Sequence, residues 1–166
     1  MRRMVSWLCF AAMPVALAAC AAPLSPENVV VTNFGEYTAT ERDTSAAPGT
    51  ASGTLHELLK PVFAQSSDKI CAKPGARFGV GYRLNERRTA IVQISIDHPP
   101  MHLPDGRTTT HEQYDYAASI ENVAGFRFDH DYELVPGTWT FAISDHDRVL
   151  ARKSFNVTVN CAPNAT

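Results

Sequence analysis

The chain has 166 residues, enough for one domain with an ordinary hydrophobic core. Its 15 basic and 17 acidic side chains leave a formal charge of −2, and −4 once Arg2 and Arg3 are set aside with the leader described below. That balance offers no basic patch for nucleic acid, and beyond residue 19 no apolar run is long enough for a membrane-spanning helix.

Residues 1–19 have the layout of a secretory signal peptide: Arg2 and Arg3 form a positive head, and Val5 to Leu17 is an apolar run too short for a stable bilayer span. The sequence Leu17-Ala18-Ala19-Cys20 follows, and with head and run it resembles the lipobox of bacterial lipoproteins. The resemblance implies cleavage before Cys20, a diacylglycerol on its sulfur and an acyl group on the new amino terminus. The other reading is a plain cleaved signal with Cys20 as an incidental thiol. Each buried methylene contributes about 0.8 kcal/mol, so several chains on one residue make a lasting anchor where one would not. Ala21 stands where lipoproteins kept at the inner membrane often carry Asp, which points to the outer membrane, with the folded part facing the periplasm. Residues 20–28 are then the lipidated cysteine and a short semi-extended tether, AAPLSPEN after Cys20.

Val29 to Thr38 is β-branched and aromatic, predicting a first strand with Gly35 as a candidate bulge. Residues 39–53 are small and polar and read as a loop. Thr54 to Ala64 has leucines at helical spacing behind a Thr54/Glu57 capping pair, but Pro61 cuts it short, so one helical turn or an extended cover both fit. Gln65 to Gly75 reads as a second loop. Arg77 to Leu84 alternates, with Phe78, Val80, Tyr82 and Leu84 on one face and Arg77, Gly79, Gly81 and Arg83 on a wet one. Ala90 to Asp97 alternates next, and the two are expected to pair as a hairpin. His98 to Arg107 carries three prolines and an Asp-Gly turn and is expected to end the ladder. Glu112 to Ile120 alternates through Tyr114, Tyr116 and Ala118. Gly125 to Val159 then predicts a three-stranded meander, turning at Pro136-Gly137 and at Ser144 to Asp147, with apolar series Phe126 to Leu134, Trp139 to Ile143 and Val149 to Val159. Seven strands with turns between them argue an all-β antiparallel sandwich over residues 29–161, leaving 162–166 as a C-terminal tail.

Of four cysteines, Cys9 leaves with the signal and Cys20 takes lipid, so Cys71 and Cys161 remain in an oxidising compartment. A bond between them is one reading and two separate buried thiols the other. No Cys-x-x-Cys occurs to suggest redox work.

The segments RFGVGYRL (77–84), HPPMHLPDG (98–106), ELVPGTWTFAI (133–143) and SFNV (154–157) together resemble a bacterial domain family of unknown function. Its mark is a Glu-x-x-Pro-Gly-x-Trp segment near the end, and the likeness covers about residues 29–159. It implies an immunoglobulin-like β-sandwich and brings no assigned catalytic residue.

His98, Met101 and His102, with His111 beyond, are the types a periplasmic copper site uses, soft sulfur for Cu(I) and imidazole for Cu(II). Two prolines and a turn explain the same stretch as a strand-ending connection. Asp129, Asp131 and Glu133 at alternate positions predict a row of carboxylates on one strand face, able to hold a cation or merely solvated, with His130 on the apolar side. Asp145-His146-Asp147 reads as turn chemistry. Trp139 and Tyr132 fit a ligand platform or, by their period of two, the core. His56 to Lys60 lacks the second histidine of a zincin helix, and no nucleophile elbow, phosphate loop or dinucleotide fingerprint occurs. The sequence therefore predicts a lipid-anchored cell-envelope protein, not an enzyme and without cofactor, that binds or scaffolds an envelope protein. The alternative is a copper or other metal carrier using the His98-Met101-His102 loop.

Overall fold

The computed structural model describes residues 23–85, 89–159 and 161. The expected signal peptide, the expected lipidation site Cys20 and the expected tail 162–166 lie outside the described residues. Nine strands are formed in chain order: β1 (Val29–Ala46), β2 (Thr54–Phe63), β3 (Lys69–Cys71), β4 (Arg77–Leu84), β5 (Ala90–His102), β6 (Thr108–Ala118), β7 (Glu121–Arg127), β8 (Gly137–Asp145) and β9 (Arg148–Thr158). They make two sheets, one ordered β2-β1-β4-β7 and the other β3-β9-β8-β5-β6. Every pairing is antiparallel except β3 with β9. The all-β sandwich is as expected. The two strands beyond the expected seven are β2, where helix and extended cover were both open, and β3, inside an expected loop.

The inner faces meet in an aromatic core. Phe78 is wholly buried, with ring centroids of Phe128 and Phe141 at 5.3 Å, Phe155 at 5.4 Å, Trp139 at 5.6 Å and Phe126 at 6.2 Å. Most contacts are edge-to-face, the arrangement that the ring quadrupole favours. These residues come from β4, β7, β8, β9 and the segment after β7, so one cluster joins both sheets.

Four expectations need correction. β4 and β5 do not form a hairpin: β4 pairs with β1 and β7, and β5 with β6 and β8. Each brings an apolar face to the core, and two such strands bury more by facing each other across it than by lying side by side. The meander likewise reduces to the β8–β9 hairpin, because β7 belongs to the other sheet. Within that hairpin a register shift between Ile143 and Ser144 turns Leu150 inward and leaves Val149 42% exposed. β5 runs through Pro99-Pro100 to His102 instead of ending at His98. Its pairing with β8 stops at Asp97 and its register with β6 breaks between Asp97 and Met101, so the prolines fall where no ladder bond needs their missing N–H.

Two covalent or docking features finish the body. Cys71 and Cys161 are bonded, with Cα atoms 5.9 Å apart and a sequence separation of 90, which settles the thiol question. Residues 24–28, expected to belong to an extended tether, are instead part of the folded body. Leu24 is 1% exposed and its N–H donates to Asp145 Oδ2 at 2.5 Å, and Pro26–Asn28 forms a single 3-10 turn. Burying a leucine outweighs leaving it in an extended chain.

Candidate functional site

β1 is too long for one partner. Val29 to Glu36 pairs with β4, while Tyr37 to Ala46 pairs only with β2, so the second half and β2 form a two-stranded ribbon. The ribbon lies on the outer face of β4 and β7, where the sequence predicts water. Glycines make room for it. A Cβ on Gly81 would sit 3.1 Å from the Phe63 ring, and one on Gly125 would collide with the Tyr37 hydroxyl. Gly79 and Gly81 are consequently buried. The ribbon tip reaches the edge of the second sheet, where Gln113 N–H donates to Gly49 O at 2.9 Å and Ala51 N–H to Glu112 Oε1 at 3.2 Å.

Between ribbon and sandwich lies a cleft of about 850 Å³, and beside the tip a smaller one of about 310 Å³. Four of the chain's five tyrosines, Tyr37, Tyr82, Tyr114 and Tyr116, line the larger cleft, with Phe63 and Leu55. Burial pushes the phenols of Tyr37, Tyr82 and Tyr114 well above their ordinary range, so they stay protonated donors. The hydroxyl of Tyr82 is buried and has no hydrogen-bond partner among the described residues. Leaving such a group unmatched costs about 1–3 kcal/mol.

Charges at the cleft are largely matched. Glu41 pairs with both Arg77 and Arg127, Arg127 also reaches Asp129 Oδ1 at 2.7 Å, and His56 Nε2 lies 3.1 Å from Asp129 Oδ2. Burial would raise the Glu41 pKa, but Arg127, His56 and Arg77 outweigh it and hold it below the usual value. Arg42 and Glu57 pair across the ribbon at 2.5 Å. These contacts pin the ribbon; phenols, apolar side chains and a few exposed charges at the rim are what remain to meet a ligand.

Behind the tip is a buried group of ionisable residues. Glu112 is 3% and Glu133 1% exposed, and His98 Nε2 lies 3.9 Å from Glu112 Oε1. The His98 ring rests on Trp139, centroids 4.8 Å apart, and its Nδ1 faces Pro99 O at 2.8 Å. Burial lowers the His98 pKa and raises that of Glu133. Burial, helped by the neighbouring Glu133 and opposed by the Ala51 N–H, pushes Glu112 up to about 7. Its folded pKa thus exceeds its unfolded one. The stabilisation it gives is complete below the ordinary value near 4.5 and is lost as pH rises through 7. We expect Glu112→Gln, which keeps an acceptor for Ala51, to remove a slope worth on the order of 3 kcal/mol between those limits. The measurement is the difference between the two proteins' urea-denaturation free energies from pH 4.5 to 8; parallel curves would refute the buried acid.

The predicted metal loop does not assemble. His98 and Met101 point into the core, whereas His102 and His111 are exposed on the opposite face, held by Thr108 Oγ1 at 2.9 Å and Asp97 Oδ1 at 2.7 Å. The register break between Asp97 and Met101 divides them: it turns His98 and Met101, three residues apart, to the same inner side and sends His102 outward, while His111 belongs to β6. Among the described residues no group of three or more His, Cys, Asp or Glu side chains is placed to hold a metal ion. The carboxylate row is also dissolved. β7 ends at Arg127, and Asp131–Glu133 is a 3-10 turn, so Asp129 joins the charge network while Glu133 turns inward. His130 is exposed and stacks on Tyr132 at 5.0 Å instead of facing the core. In the turn after β8, His146 takes a positive φ of 52°.

The Glu-x-x-Pro-Gly-x-Trp segment is structural, and it guides the chain from one sheet to the other. Glu133 Oε2 accepts the N–H groups of Asp129 at 2.5 Å and His130 at 2.9 Å. Gly137, at φ 136°, packs where a Cβ would lie 2.7 Å from Pro99 Cγ. Trp139 fills the core and donates to Val135 O at 3.1 Å. Sequence reasoning missed the cleft. Its available signal was the tyrosines, read as ordinary inward positions, opposite glycines on a supposed wet face.

None of the curated proteins compared with the chain matches it. Among solved structures it is similar to an immunoglobulin-like protein from Pseudomonas aeruginosa, at 21% identity and TM-score 0.58, over 78% of this chain and 96% of that one. At that identity the likeness shows the fold, an immunoglobulin-like sandwich. A family model described as a domain of unknown function, DUF3859, matches residues 27–157, from the turn before β1 to the end of β9. The chain therefore belongs to the DUF3859 family.

Proposed function

We propose that the protein is a non-catalytic binding module of the cell envelope, held to the outer membrane by lipid on Cys20 and taking its ligand in the cleft beneath the β1–β2 ribbon. The observation that carries this is an 850 Å³ cleft lined by four tyrosines, one of which, Tyr82, has a buried hydroxyl without a hydrogen-bond partner among the described residues. A concave surface that combines aromatic side chains with a few unspent polar groups is what ligand sites offer. Arg42, Glu57, Arg127 and its partners Glu41 and Asp129 are spent on one another, and the lining charges left over, Lys60, Asp115 and Glu121, are exposed, an arrangement suited to binding. The anchor rests on the positive head, the apolar run and the box ending at Cys20.

The test is photocrosslinking in intact cells of the full chain, with a benzophenone amino acid at position 116 in the cleft or at position 152, exposed on β9. We expect a discrete adduct from position 116 alone, and we expect Cys20→Ser to move the protein from the membrane to the soluble fraction. Equal labelling from both positions would remove the cleft from the proposal, and a membrane-bound Cys20→Ser protein would remove the anchor.

A further inference from the structure

Resting on the proposal of a binding cleft, we infer that its occupant is an extended peptide segment carrying Lys or Arg, which adds to the free edge of β6 as a further strand of the second sheet. β6 is the last strand of that sheet, paired only with β5. The N–H of Gln113 turns away from β5 and is spent on Gly49 O at the ribbon tip. The two-residue period of a strand aims the N–H and C=O groups of Asp115 and Ala117 the same way. No hydrogen bond among the described residues takes them. Asp115 and Ala117 border the cleft, and the smaller cleft opens between Asp115 and the ribbon. The geometry is a slot closed at one end by the Gly49–Gln113 rung, with two unused rungs beyond it.

A strand there gains main-chain hydrogen bonds for affinity and presents alternate side chains to different surroundings. Those turned inward meet Tyr114, Tyr116 and Tyr82, which line the cleft. Those at the rim meet Asp115 and Glu121, both exposed and without an ion-pair partner among the described residues; they outnumber the one lining cation in the same condition, Lys60 on the ribbon, which is why the peptide carries positive charge. The ribbon tip also caps what would otherwise be a longer bare edge, the kind that invites indiscriminate pairing.

The experiment uses the full lipidated chain in detergent micelles and a phage-displayed library of random linear heptapeptides. Enriched peptides are resynthesised with single N-methylated amides. We expect enrichment of Lys or Arg, and an alternating pattern in which every second methylation weakens binding about tenfold while the intervening ones do not, since each costs one ladder bond. Hydrogen exchange at the Asp115 and Ala117 amides should slow on binding. Asp115→Pro, which removes an N–H that β5 does not use, should weaken binding to a similar extent with the urea midpoint unchanged. Should Asp115→Pro disturb folding, the methylation pattern decides alone. Binding that ignores methylation overturns strand addition. So does a library that yields no binder while position 116 still crosslinks in cells, and in that case the cleft itself stands. Failure of both assays overturns the binding reading as well.

Discussion

Reduction of the Cys71–Cys161 bond, or Cys71→Ser combined with Cys161→Ser, is expected to lower the free energy of unfolding by about 4–5 kcal/mol. The bond spans 90 residues, most of the folded body, so its loss releases a large loop in the unfolded ensemble. A domain of this size is stable by only about 5–15 kcal/mol, so that loss is a large fraction of the total. The structure adds a local reason. Cys71 ends the three-residue strand β3, whose one strand partner is β9 through three register pairs, and its N–H donates to Glu36 Oε1 of β1 at 3.0 Å. Without the bond, β3 should fray first, exposing the edge of β9. Urea denaturation with and without reductant measures the global loss, and amide exchange at Ile70 and Val157 the local one. A loss below about 1 kcal/mol would mean that the bond is not a structural element of the fold.

The second large effect is expected from Phe78→Ala, at about 3–5 kcal/mol. Five aromatic rings from both sheets surround Phe78, so its removal leaves a cavity that rigid rings fill poorly. Phe78→Leu, which keeps much of the volume, should recover a good part of the loss. The denaturation midpoint reads both. If Phe78→Ala costs no more than an exposed substitution such as Val62→Ala, the two sheets are not joined through this cluster.

The site residues show how far a linear reading reaches. Tyr114 and Tyr116 were legible as inward positions of a strand, and Tyr82 likewise, but nothing in their spacing tells that the three share a space with Tyr37. Glu112 and Glu133 look like any strand carboxylates, and only their neighbours make them buried acids. The histidines of the 98–111 stretch are close in sequence and separated in space, because a register break between Asp97 and Met101 puts His102 on the face opposite His98, a shift that a strict period of two does not foretell. The alternating glycines of β4 read as a wet face, since a glycine carries no mark of whether water or another backbone fills the space it leaves.

Alternation of apolar residues is a local property, and by itself it determined that most of this chain forms strands and that two layers enclose one core, but it misread the facing of Val149, His130 and the β4 glycines; with Cys9 and Cys20 set aside as expected, the cysteine count left Cys71 and Cys161 as one possible pair. Which strand lies beside which, the return of β1 and β2 over the glycine face, and the resulting cleft were decided only by the tertiary structure. Strand pairing joins residues tens of positions apart, and its energy depends on what the whole sandwich can bury, a quantity that no single window of sequence contains.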